Sequence, residues 1–409
     1  MYLTLGKARG VIDASPSKSH LVRLLFLSYM SEGESVITLP ANEICSDAAD
    51  ALNCAAVFGK KCVFENKTIK VTSGERKDSV SVEGSAASLR FLLACGSAKG
   101  ESFAVKCGEK LRERPHAGLI DALGAHGAEI SVTKDGFTVN GKLNCGDFCV
   151  SAEKTSQYVS ALCLALPFVK GMSSVTVGGK ISSLPYLKMT LSLLCGVGSG
   201  IREENGVFEI DGGFVCDGVN AVCEGDWSSA AAFLCMGAVG GSVRVNGVSP
   251  SSLQGDKVIC EILEKSGENV VFDENGVTVE KGKGSPFDVD VTDIPDLAPI
   301  LAAYAFFCNG TSVIRSVSRL RYKESDRVKA IADTISRFGG RASFDGENIY
   351  IEKGVFVPES SDCGNDHRVA FLLAILSAAG KIEINGGECA AKSCPSFFEK
   401  YKQIGGEIS

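Results

Sequence analysis

The sequence predicts an α/β protein of two similar domains, each made of three βαβαββ units with pseudo-threefold symmetry. Three observations carry this expectation. An amphipathic helix ending in glycine recurs six times, closing at Gly59, Gly127, Gly198, Gly267, Gly339 and Gly405 with spacings of 66 to 72 residues. A second, almost wholly apolar helix recurs on the same beat, and a period of this length marks a repeated supersecondary unit. The chain, at 409 residues, is also longer than one ordinary core organises and long enough for two.

The amphipathic helices end as "ALNCAAVFG", "LIDALGAHG", "LSLLCGVG", "ICEILEKSG", "IADTISRFG" and "FEKYKQIG". Five are followed by strand, turn and strand, as in "AEISVTKDGFTVNG", "IREENGVFEIDG" and "NVVFDENGVTVEKG". There Asp-Gly or Asn-Gly is expected to supply the positive φ of a tight hairpin. The sixth copy stops at "GGEIS", so its last strands are expected from residues 1 to about 14, "MYLTLGKARGVIDA", beside the C-terminal half.

The apolar helices read "SKSHLVRLLFLSYMSEG", "SAASLRFLLACGSAKG", "TSQYVSALCLALPFVKG", "DWSSAAAFLCMGAVGG", "IPDLAPILAAYAFFCNG" and "NDHRVAFLLAILSAAG". Each is nearly all apolar after its first turn, so each is expected to be buried. All six open on Ser, Thr, Asp, Asn or Pro, which capping explains in part. Pseudo-threefold symmetry would gather their N-termini on one face per domain, the two faces opposed across a cleft. Helix dipoles and unpaired N–H groups there would attract anions.

Composition narrows the function. A net charge of -7 and a pI near 5.4 argue against a nucleic-acid binder with a general basic surface, so any anion site must be local. The longest apolar stretch, around "LAPILAAYAFFC", is too short for a membrane span, and "MYLTLGKARG" lacks the apolar run of a signal peptide, so a cytoplasmic protein is expected. The 17 cysteines are scattered and mostly set in apolar patterns, as at Cys95, Cys163, Cys235 and Cys308, and read as small buried hydrophobes in a reducing compartment. With no CxxC pair and only His20, His116, His126 and His367, no metal site is expected.

Ten segments in order resemble the enolpyruvyl transferases, and within them the branch that uses shikimate 3-phosphate. They are "DASPSKSHLVR", "ERPH", "TSQYVSAL", "SSLPY", "EGDWSSAAAFL", "QGD", "DIPDLAP", "RYKESDR", "NDHRVA" and "CAAKSCPSFF", and they cover essentially the whole chain. The resemblance implies the fold of that family, an inside-out α/β barrel in each domain, with chain crossings near residues 16 and 224. The domains would be 1–16 plus 224–409, and 17–223, with the active site in the cleft between them. It also implies a reaction without a cofactor. The enolpyruvyl group of phosphoenolpyruvate passes to the 5-hydroxyl of shikimate 3-phosphate through a tetrahedral intermediate, with release of phosphate. A monomer with small-molecule substrates and no nucleic-acid or membrane partner is expected.

Such chemistry must hold two anions, protonate a vinyl carbon and deprotonate a hydroxyl, so it needs several cations and one or two carboxylates of tuned pKa. "SKS" sets Lys18 and Ser19 at a helix start with Arg23 one turn later; on residue type alone Lys18 is as easily a solvent-facing lysine. The resemblance makes Lys18 a ligand of both substrates and a proton donor to the bridging oxygen, and makes Ser19 and Arg23 shikimate 3-phosphate ligands. Thr155, Ser156 and Gln157 open another helix, where a plain N-cap accounts for one polar residue but not three. They are expected to cradle the shikimate phosphate, Gln157 also touching phosphoenolpyruvate. Ser183 and Tyr186, otherwise a proline turn, join them by resemblance. Arg114, fixed by the proline after it, could reach a phosphate or carboxylate. Arg368 and Lys392 match phosphoenolpyruvate ligands, while His367 reads as structural.

Asp296 is a helix cap on the plainest reading. The resemblance assigns it to the shikimate hydroxyls and makes it the candidate general base. In "RLRYKESDR" a charged helix start would explain Ser325 and Asp326. By resemblance Lys323, Glu324 and Arg327 form a phosphoenolpyruvate clamp, with Lys323 also a shikimate 3-phosphate ligand and Glu324 the carboxylate that exchanges a proton at the methylene carbon. Arg319 and Arg321 lie upstream without an assigned role. Before Arg90, where the family carries a glycine-rich turn, the chain reads "EGSAASLR". Ala86, or Ala87 with a one-residue gap, then replaces a pocket glycine and is expected to weaken glyphosate, the family's phosphoenolpyruvate-site inhibitor. Two alternatives stand beside this reading: a UDP-N-acetylglucosamine enolpyruvyl transferase, whose reactive cysteine would have to be Cys107, and a noncatalytic anion-binding relative.

Overall fold

The computed structural model describes all residues, 1–409. The chain divides into two compact units, Ser17–Cys223 and Met1–Pro16 with Glu224–Ser409. Each carries three four-stranded sheets and its own hydrophobic core.

In the first unit the buried helices are Lys18–Met30, Ala86–Lys99 and Gln157–Ala165, each packed against the other two. In the second they are Trp227–Gly240, Ala298–Ala305 and His367–Leu376, packed the same way. Burial all round explains why the sequence shows no polar stripe along them: every residue from Trp227 to Val239 is buried. The second helix of each repeat behaves differently. Arg327–Arg337 buries Val328, Ile331, Thr334 and Ile335 on one face, with Arg327 buried at its start. Strands alternate to match, Ser242–Asn246 burying Val243 and Val245 only.

One strand order recurs in all six sheets. Asp147–Ser151 runs parallel to Met172–Gly178, which pairs antiparallel with Val207–Asp211, and that strand pairs with Ile201–Glu204. Three sheets recruit a strand from far away in sequence. Asn220–Val222 lies parallel to Ser35–Thr38, Arg9–Asp13 lies parallel to Ser242–Asn246, and Tyr2–Leu5 fits between Ile382–Asn385 and Gly406–Ile408.

The six repeat glycines all take left-handed φ, 62° at Gly59 and 87 to 97° at the others, the conformation that stops a helix with least strain. The hairpins depart from expectation in part. Asn205 and Gly206 are both left-handed, φ 53° and 78°, as a tight Asn-Gly turn requires. Asn275-Gly276 is not, because Asp273 Oδ1 accepts the Asn275 N–H at 2.8 Å and an Asx bond reverses the chain instead. Gly276 is there for space: a Cβ would fall 2.1 Å from the Val245 carbonyl oxygen.

Four buried helices are capped by side chains, Ser17, Ser85, Asp226 and Asp366 accepting the N–H of His20, Ser88, Ser229 and Arg368. The other two are not. Thr155 Oγ1 takes the Gln157 N–H at 3.2 Å, and Ala298–Ala305 begins after Leu297 with Pro299, which has no N–H to satisfy. Asp296 is therefore no cap, and its carboxylate is used elsewhere.

Candidate active site

In the Ser17–Cys223 unit, Lys18 opens its helix and its ammonium meets Asp47 Oδ2 at 3.1 Å, with 19% of the lysine side chain exposed, so it is not simply a solvent-facing lysine. Asp47 and Asp50 share one face of the Ser46–Cys54 helix. Asp50 accepts the backbone N–H groups of Glu83, Gly84 and Ser85, each at 2.9 Å. One carboxylate thus shapes the turn that delivers Ala86 to the start of its helix, where Ala86 keeps 6% of its surface.

Arg23 is buried, with Nε on Thr190 Oγ1 and Nη1 on the Ser19 carbonyl, both at 2.7 Å. Burial pushes its guanidinium down to about 10, with Tyr186 opposing. Thr190 donates in turn to the Tyr186 carbonyl at 3.2 Å, and Ser183, left-handed at φ 58°, begins the same Leu184–Gly196 helix. Ser156 Oγ reaches the Ser183 carbonyl at 3.3 Å. The structure therefore brings "SKS", "TSQ" and "SSLPY" together.

Arg90 ties in the Arg114 loop. Its Nη1 donates to Gln157 Oε1 at 2.6 Å and its Nη2 to the Pro115 carbonyl at 2.7 Å, an oxygen that also accepts the Tyr158 hydroxyl at 2.6 Å. In the sequence Arg90 shows only as the residue that follows the "EGSAASL" turn. Its place inside an apolar helix, "SLRFLL", was the signal that it is buried and therefore paired.

In the other unit the candidate residues gather on Arg327, whose side chain is 1% exposed. Nη1 donates to Asp296 Oδ1 at 2.9 Å, Nη2 to Glu324 Oε2 at 2.7 Å, and Nε to Asp366 Oδ2 at 2.8 Å. Burial alone would lower this guanidinium, but Asp366, Glu324 and Asp296 together hold it well above its ordinary value. Asp296 also takes Arg368 Nη2 on its Oδ2 at 3.0 Å, with Lys323 Nζ 3.9 Å from its Oδ1. Burial pulls Lys323 down to about 8, opposed by Asp296 and aided by Arg327 and Arg319. Lys392 Nζ contacts the Asn365 carbonyl at 2.5 Å, beside the segment that holds Arg368. Asp366 was missed from the sequence: it reads as a cap and is one, yet its carboxylate also grips Arg327.

A family model for EPSP synthase (3-phosphoshikimate 1-carboxyvinyltransferase) matches residues 4–401. The chain belongs to the EPSP synthase family. A 3-phosphoshikimate 1-carboxyvinyltransferase of Brachyspira hyodysenteriae is 32% identical over 98% of this chain and 97% of that protein. One from Thermococcus kodakarensis is 34% identical over 97% and 98%. Among solved structures, the fold matches an EPSP synthase from Acinetobacter baumannii with a TM-score of 0.82 at 21% identity, covering 100% of this chain and 99% of that one. The enolpyruvyl transferase NikO from Streptomyces tendae matches at 0.81 and 16% identity, over 100% and 98%. The six-repeat α/β architecture is thus the enolpyruvyl transferase fold, as the sequence led one to expect.

Membership in the EPSP synthase family disfavours the UDP-N-acetylglucosamine alternative, and Cys107 agrees. It ends the Phe103–Cys107 strand half-buried, and burial raises its thiol, opposed by Arg112, whereas an attacking cysteine needs a lowered one. No helix is long and apolar enough to cross a membrane.

Proposed function

We propose that the protein transfers the enolpyruvyl group of phosphoenolpyruvate to the 5-hydroxyl of shikimate 3-phosphate, in the shikimate pathway to chorismate and the aromatic amino acids. The observation that carries this reading is one buried arginine, Arg327, shared by Asp296 and Glu324 with Lys323 and Arg368 on the same carboxylate.

Arg327, Arg368, Lys392, Lys18, Gln157 and Arg114 bind phosphoenolpyruvate, with Ala86 against it. Ser19, Arg23, Thr155, Ser156, Ser183, Tyr186 and Lys323 join Lys18, Gln157 and Asp296 on shikimate 3-phosphate. An anion that takes the Arg327 and Arg368 guanidinium groups draws cations from Asp296 and Glu324, and a carboxylate losing its cation becomes a better proton acceptor. Asp296 then receives the proton of the 5-hydroxyl as its oxygen bonds to C2 of phosphoenolpyruvate. Glu324, in its acid form, gives its proton to C3, making a methyl group and a tetrahedral intermediate. Glu324 next removes a proton from that methyl while the C2–O bond to phosphate breaks, Lys18 protonating the departing oxygen. Atoms balance without a cofactor or metal. The protein acts as a cytoplasmic monomer on this reading, a state that sedimentation checks.

Phosphate release with both substrates tests the reaction. Product with shikimate 3-phosphate and none with UDP-N-acetylglucosamine is expected. Glu324→Gln, folded by its melting curve, should lose about 10²- to 10⁴-fold in kcat, the range for a general acid–base group. Phosphoenolpyruvate binding without turnover in the wild type would mark a noncatalytic relative instead.

A further inference from the structure

Asp256 has no role in the reading above, yet it is fully enclosed, with 0% of its surface exposed. Its Oδ2 accepts the hydroxyl of Ser228, in the first turn of the Trp227–Gly240 helix. Its Oδ1 is buried with no hydrogen-bond partner. Arg368, 1% exposed, is the complementary case: Nη2 is on Asp296, while Nε and Nη1 are buried without partners. The helices bearing Ser228 and Arg368 pack together, and the charges of Asp256 and Arg368 act on each other. A dry acceptor and dry donors of opposite charge are costly unless they serve one another.

We propose that Asp256 is a positioning residue, a second buried counter-charge that holds the Arg368 guanidinium alongside Asp296 and surrenders its charge to a proton when an anion occupies Arg368. This rests on the reading that Arg368 binds phosphoenolpyruvate. Burial pushes the Asp256 carboxyl up to about 7; Asp296 and Asp226 push the same way, while Arg368 and the Ser228 hydroxyl oppose them. Lys257, next in sequence, turns its amine to the Pro250 carbonyl at 3.0 Å. An anion on Arg368 cancels the cation that favours the ionised form, so binding draws one solvent proton onto the Asp256 carboxyl wherever that group was charged. The group is mostly neutral below its resting value and binding there needs no proton. Above it, affinity falls by at most about tenfold per pH unit.

Calorimetric titration of the full chain with phosphoenolpyruvate, from about pH 6 to about pH 8.5, reads this without turnover. Asp256→Asn keeps the shape and cannot take the proton. Wild type and variant should bind alike at the acid end, and the variant about tenfold tighter at the alkaline end, the ligand's own ionisation cancelling in the ratio. Parallel pH slopes overturn the proposal. Ser228→Ala removes a hydroxyl that favours the ionised form and should move the wild-type inflection to higher pH, and an unmoved inflection also overturns it, even if Asp256→Asn does not fold. Absence of phosphoenolpyruvate binding to the wild type overturns the Arg368 reading and this proposal together. Binding without product formation overturns the reaction alone, and the pH comparison still decides the role of Asp256.

Discussion

Asp366 and Arg327 are joined by two hydrogen bonds out of reach of solvent, Nε to Oδ2 at 2.8 Å and Nη2 to Oδ1 at 3.1 Å. Asp366 also receives the Arg368 backbone N–H at 2.9 Å, so one carboxylate aligns two of the three arginines assigned to phosphoenolpyruvate. Removing Asp366 leaves the buried Nε of Arg327 without its acceptor, while Asp296 and Glu324 still hold the other two nitrogens. Asp366→Ala should lose about 1 to 3 kcal/mol in denaturant unfolding, the cost of an unsatisfied buried donor.

Arg90 holds Gln157 and the Pro115 carbonyl with separate nitrogens, so its planar fork matters as much as its charge. Arg90→Lys should keep the fold and raise KM for both substrates by roughly ten- to a hundredfold, the loss of a charge-assisted hydrogen bond. Steady-state kinetics check it; unchanged KM values would show that Gln157 needs no such tether.

Lys323 loses its proton near pH 8, well below an ordinary lysine, so its cation is present below that value and lost as pH rises through it. KM for shikimate 3-phosphate should therefore climb between about pH 7.5 and 9, where the ligand's phosphate is already fully ionised. Lys323→Arg, charged throughout, should flatten the climb.

Ala86 brings a methyl group to the first turn of its helix, at a turn that Asp50 fixes through three N–H groups and cannot easily yield. Ala86→Gly should lower the glyphosate inhibition constant about tenfold or more while moving KM for phosphoenolpyruvate less, as a single methyl in a pocket permits. Submicromolar inhibition of the unaltered protein would show that the methyl does not narrow the pocket.

The fold was legible because apolar runs and glycines repeat. The glycines at 59, 127, 198, 267, 339 and 405 need left-handed φ, and the six buried helices need to be apolar all round. Among the candidate residues, polar ones at helix starts, such as Lys18, Gln157 and Arg368, stood out against apolar bodies. Asp50, Arg90, Asp256 and Asp366 did not, because a carboxylate or guanidinium that works by gripping backbone or another buried side chain looks, in sequence, like a cap or an interruption. Asn275-Gly276 misled for a related reason: a side chain two residues earlier, Asp273, turned the chain in place of a left-handed pair.

The strand Tyr2–Leu5 finds its partners only at Ile382–Asn385 and Gly406–Ile408. During synthesis Tyr2–Leu5 leaves the ribosome well before its partners and is thus among the last elements to settle. The stretch from Ser17 to Cys223 carries its own core and sheets and can fold while translation continues. Tyr2–Leu5 waits through roughly 380 further residues, about 20 to 75 s at ordinary elongation rates, as an unpaired β-edge open to other nascent chains. Chaperone dependence in the cell should follow from that delay and be eased by a circular permutant that starts at residue 224.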